Sequence, residues 1–137
     1  MNGASTESPE YAFEFGAAPI PPLAQVRSWL RGLLRGTSAE TRQDVELVTT
    51  ELLTNAYEHA EGPFALRLVR PSGQSMVRLE VDDTCPHLLP KSGRSAPGDR
   101  RGRGLLLVKA ISSNWGMRLN AGHKTIWAEI PIDRMSL

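Results

Sequence analysis

Glu51, Asn55 and His59 recur at intervals of four within Glu51-Leu52-Leu53-Thr54-Asn55-Ala56-Tyr57-Glu58-His59-Ala60. On a helix that interval stacks them in one row. The row borders an apolar stripe made by Val45, Val48, Leu52, Ala56 and Ala60, so it lies at the margin of a core and can face a cleft. A carboxylate and a carboxamide oxygen are both hard donors, suited to Mg²⁺ directly or through water. The same residues would also serve as ordinary solvated side chains. The spacing by itself leaves both readings open.

A second group is Val77-Arg78-Leu79-Glu80-Val81-Asp82-Asp83. Alternation puts Val77, Leu79, Val81 and Asp83 on one face of a strand and Arg78, Glu80 and Asp82 on the other. Asp83 is then in phase with the buried face, and Asp82 is expected to face solvent. A carboxylate at the inner end of a strand needs a donor, which the exocyclic amine of adenine would supply. The competing reading is an aspartate that opens the turn towards Pro86.

The third group, Arg101-Gly102-Arg103-Gly104-Leu105-Leu106-Leu107-Val108, sets two glycines ahead of an apolar run. Glycine permits close backbone approach, and the first amides of a helix point outward, an arrangement that suits phosphate. Lys91, Arg94, Arg100, Arg101 and Arg103 would add positive charge around it. A flexible turn before a core helix explains the same letters, and the third glycine of a dinucleotide fingerprint is missing. The fourth group, Gly122-His123-Lys124-Thr125-Ile126-Trp127, reads alone as a turn and the start of a strand.

The elements that must position these groups follow from periodicity and punctuation. Tyr11, Phe13 and Phe15 alternate as a strand does. Pro22 suits the first turn of a helix carrying Leu23, Val26, Leu30, Leu33 and Leu34, with Gly36 as its stop. Thr37 and Glu40 have capping-box spacing for a second helix over about 39–60. Strands are expected over 64–69 and 76–81, joined at Pro71-Ser72-Gly73. A long loop follows over 84–103, of the kind that is mobile or functional. A short helix over 105–111 and strands over 115–119 and 125–130 close the chain. The order β-α-α-β-β-loop-α-β-β predicts a two-layer α/β sandwich, with a mixed, largely antiparallel sheet and helices on one face. A disordered tail over 1–10 is expected ahead of a single domain over 11–137.

Composition is that of a globular domain, 137 residues with 40% hydrophobic and 23% charged residues. A net charge of +1 demands neither a nucleic-acid nor a membrane partner. Five basic residues near the loop leave nucleic-acid binding as a minor reading. No run approaches the ~20 apolar residues of a membrane span. The N-terminus lacks the pattern of a signal peptide, and a lone Cys85 fits a reducing cytoplasm. The spacing of His59, Cys85, His87 and His123 matches no zinc pattern, while Trp29, Trp115 and Trp127 read as packing residues.

Taken in order, the four groups resemble the adenine-nucleotide site of the gyrase/Hsp90/histidine-kinase/MutL superfamily, in the stand-alone form of the anti-sigma-factor serine/threonine kinases. Glu51-x-x-x-Asn55 with Ala56 and His59 is similar to the helix motif, and Asp83 to the adenine-reading aspartate. Gly102-Arg103-Gly104-Leu105 with Val108 is similar to the phosphate segment, and Gly122-x-Lys124-Thr125 to the last Gly/Thr motif, whose threonine supports that aspartate. The resemblance covers about 19–131. It implies a Bergerat-type fold binding ATP with Mg²⁺ held by Asn55, and Glu51 acting as base on a protein hydroxyl. It also implies contacts to nucleotide from His59, Asp83, Gly102, Arg103, Gly104, Leu105, Leu106 and Thr125, under a mobile lid over 84–103. The implied partners are a sigma factor, an antagonist of the anti-sigma factor, or a second copy, in the cytoplasm and without direct nucleic-acid or membrane contact. Where the family often has glycines after the aspartate, this chain has Cys85 and His87. That departure motivates the alternative of a nucleotide-gated binding module with little or no kinase activity.

Overall fold

In the computed structural model the chain runs through β1 (Glu10–Glu14), α1 (Leu23–Leu33), α2 (Ala39–His59), β2 (Pro63–Val69), β3 (Met76–Asp83), α3 (Arg100–Ile111), β4 (Asn114–Asn120) and β5 (His123–Pro131). The structure describes residues 8–16, 20–59, 63–84, 100–120 and 122–133, with the backbone alone for His59, Phe64 and 100–104. The strands form one sheet in the order β1-β2-β3-β5-β4. Each neighbouring pair is antiparallel, so the sheet is more uniform than the mixed one expected. It is a two-layer α/β sandwich with helices on one face, consistent with a Bergerat-type fold.

Period-two alternation decides which face the helices cover. Leu66 and Leu68 of β2, Val77, Leu79 and Val81 of β3, and Ile126, Ala128 and Ile130 of β5 all join one core. Val26, Leu30 and Leu34 from the first helical segment, Val45, Val48, Leu52, Leu53 and Ala56 of α2, Val108 of α3, and Ile132 just after β5 complete it. Fully burying one such side chain contributes roughly 1.5–3 kcal/mol.

The helix boundaries depart from expectation in two places. Thr37 does not cap α2. Its hydroxyl donates to the Leu34 carbonyl at 2.6 Å, closing the end of α1 beside Gly36, whose φ of 86° is one L residues rarely adopt. Ser38 caps α2 instead, its Oγ accepting from the Thr41 N–H at 3.1 Å. The cap pair is thus shifted by one residue, with Thr41 in the place expected of Glu40.

The second departure is in α3, which begins at Arg100, within the expected loop. Arginine is a good helix former, and three arginines offset part of the cost of Gly102 and Gly104, about 1 kcal/mol each. The strands also run longer than expected, because the β3–β5 ladder continues to Asp82 opposite Thr125 and Asp83 opposite Lys124.

Candidate nucleotide site

α2 presses Leu52 and Ala56 into the core, which leaves Glu51 and Asn55 half-buried at its margin. Asn55 Oδ1 is buried without a hydrogen-bond partner among the described residues. An orphaned amide oxygen of this kind costs about 1–3 kcal/mol, a cost that a cation or a bound water would remove. Asn55 therefore fits a hard ion such as Mg²⁺. Glu51 stands one turn earlier on the same row. His59 closes α2, and its side chain lies outside the described residues. Off this row, burial pushes the Tyr57 phenol above its usual value, and its ring meets Phe15 edge-on at 6.2 Å.

Asp83, the last residue of β3, is 1% exposed. It shares a face with Val81 and Leu79, the face covered by the helices, as its parity requires. Directly opposite on β5 stands Lys124, whose Nζ lies 3.4 Å from Asp83 Oδ2. Lys124 was not among the expected site residues. The signal was present in the sequence: Lys124 is in phase with Ile126, Ala128 and Ile130, so it had to share a face with Asp83.

The same parity corrects the expectation for Thr125. Its hydroxyl donates to Asp82 Oδ1 at 2.5 Å and accepts from Asn120 Nδ2 at 3.0 Å, on the sheet face away from the helices. Thr125 supports Asp82 and not Asp83. Asp82 in turn is not solvent-facing as expected but 1% exposed. The cause is Arg67 on the neighbouring strand, whose guanidinium bridges Asp82 and Glu80 and shields both carboxylates.

α3 begins at Arg100, so the segment expected to hold phosphate, Gly104 to Leu106, lies inside the helix rather than at its start. Leu105 is half-buried, while Leu106 is 65% exposed and Val108 fully buried. The side chain of Arg103, and the expected lid residues Cys85, His87, Lys91 and Arg94, lie outside the described residues.

A family model described as a histidine kinase-like ATPase domain matches residues 17–130. The chain belongs to this family. An uncharacterized protein of Streptomyces coelicolor is 36% identical over 85 residues, 58% of this chain and 78% of that protein. Among solved structures, that of the RsbU and RsbW domains of Rv1364c from Mycobacterium tuberculosis superimposes with a TM-score of 0.66 at 22% identity, over 93% of this chain. This chain spans 33% of that one. The histidine kinase domain of the blue-light activated histidine kinase EL346 from Erythrobacter litoralis matches with a TM-score of 0.50 at 20% identity, covering 80% of this chain and 59% of that one. At these identities the two structures speak for the fold.

For this histidine kinase-like ATPase domain, the acid–amide row of α2 and the inner carboxylate of β3 thus belong to the same two-layer unit, on the covered side of the sheet. Among the described residues no helix is long and apolar enough to cross a membrane.

Proposed function

We propose that this histidine kinase-like ATPase domain is an ATP-dependent protein serine/threonine kinase that regulates transcription as an anti-sigma factor, acting on an antagonist protein in the cytoplasm. The observation that carries this reading is the Asn55 oxygen, buried without a hydrogen-bond partner among the described residues, one helical turn from Glu51. Membership of the family and the resemblance of the helix motif to the stand-alone kinases support it. Mg²⁺ bound at Asn55 would neutralise phosphate charge. Asp83 accepts from the adenine amine, and the first amides of α3, with the arginines beside them, hold phosphate. Glu51 accepts the proton of the attacking hydroxyl. The hydroxyl oxygen forms a bond to the γ-phosphorus as the bond to the bridging oxygen breaks, and ADP leaves.

The direct test incubates the purified chain with labelled ATP, Mg²⁺ and a purified anti-sigma-factor antagonist from the source genome. Transfer of label to a serine or threonine, lost in Glu51→Gln, supports the reading. A second reading, a nucleotide-gated binding module, is favoured by Cys85 and His87 standing where the family often has glycine. It is distinguished by ATP that binds and tightens the protein complex while no phosphoprotein forms.

A further inference from the structure

Two ionic side chains meet on the covered face of the sheet, where β3 ends. Asp83 is 1% exposed and Lys124 9%, with 3.4 Å between Nζ and Oδ2. Lysine is almost never buried to this degree without a partner. An ammonium carries three donors and no acceptor, and a carboxylate is acceptor-only. Side by side they place an acceptor next to a donor. The edge of adenine presents the complement, an exocyclic amine that donates beside ring nitrogen N1 that accepts.

We propose that Lys124 is the second base-reading residue of this site, donating to adenine N1 while Asp83 accepts from the amine. The inference rests on the nucleotide-site reading above and assigns Lys124 the place that the sequence pattern gave to Thr125. Thr125 is not available for it, since its hydroxyl is committed to Asp82 on the opposite face. A carboxylate accepts several hydrogen bonds at once, so the amine can join Lys124 on Asp83 without displacing it. The face that reads the base thereby carries a cation that adds a charge-assisted hydrogen bond.

Calorimetric titration of the full chain with Mg-ADP and with Mg-1-deaza-ADP, in which N1 is replaced by C–H, tests the assignment. ADP should bind about tenfold or more tightly than the deaza analogue, because the analogue leaves a charged donor facing carbon. In Lys124→Met the two ligands should bind within about twofold of each other, and the melting midpoint of the nucleotide-free variant reports separately on folding. Equal affinities in the unaltered protein overturn the proposal whether or not the variant folds. A variant that melts earlier yet keeps the full ADP preference also overturns it, leaving Lys124 a purely structural counter-ion. ADP that fails to bind the unaltered protein at all refutes the nucleotide-site reading itself, a result distinct from the other two.

Discussion

At the scale of single residues, function and stability divide by the face of the sheet to which a side chain is assigned. Asp83 lies on the helix-covered face and Asn55 on α2, and removing either should weaken nucleotide binding while the fold persists. Asn55→Ala deletes an oxygen that has no described partner. Its melting midpoint should hold or rise slightly while Mg²⁺-dependent ATP affinity falls by about tenfold or more, which paired melting and titration experiments would reveal. Thr125 predicts the reverse. Thr125→Val removes the donor to buried Asp82, at a cost of about 1–3 kcal/mol in denaturant unfolding, and should leave ADP affinity within about twofold. A large loss of affinity with unchanged stability would return Thr125 to the site.

At the scale of elements, α2 both builds the core and carries the acid–amide row. Leu52, 1% exposed, anchors the turn between Glu51 and Asn55, so Leu52→Ala should cost about 2–5 kcal/mol and blunt nucleotide binding with it. Urea unfolding monitored by circular dichroism would measure the cost. The half-buried phenol of Tyr57, on the same helix, titrates above its ordinary 10.0 because burial disfavours its charged form. Its neutral form is the one the fold favours, so the stability it contributes is full below pH 10 and is lost as pH rises through its folded value. Tyr57→Phe should flatten that alkaline loss, a difference visible in melting curves taken above and below pH 10.

Much of this scale was legible in advance. The α2 stripe, the strand parity of β3 and the element order come from periodicities that a single sequence carries. The Thr37–Ser38 shift was not legible, because adjacent hydroxyl residues both qualify as caps and the Leu34 carbonyl that claims Thr37 is set by how α1 ends. Nor was the start of α3, where glycine content argued for a loop and helix propagation back through Arg100 prevailed. The partner of Thr125 is not legible from motif order alone, because the alternation of β5 puts its hydroxyl on the outer face with Asp82.

At the scale of the whole molecule, the sheet keeps two chemically different faces. Against the apolar, helix-covered side stands an outer side where Arg67, Arg78 and Arg118 interleave with Glu80, Asp82 and Glu129. Arg78 also lies over the Trp127 ring, 5.6 Å from its centroid. Trp127 can lie flat because Gly116 stands beneath it, where an added Cβ would come within 2.8 Å of the ring. The arginines keep two carboxylates, Glu80 and Asp82, buried on a face that has no helix over it among the described residues. Arg67→Ala would leave both short of a partner and should cost about 3 kcal/mol or more in equilibrium unfolding. A change within about 0.5 kcal/mol, typical of a surface substitution, would mean that the network is dispensable.

The proposed nucleotide site joins the α2 row to Asp83 on the inner face of the sheet. Isothermal titration of the purified chain with ATP, with and without Mg²⁺, measures it directly. The account predicts saturable one-to-one binding that Mg²⁺ strengthens and that Asn55→Ala and Asp83→Asn each weaken by about tenfold or more. Absence of binding at millimolar ATP, or binding indifferent to both substitutions, would contradict it.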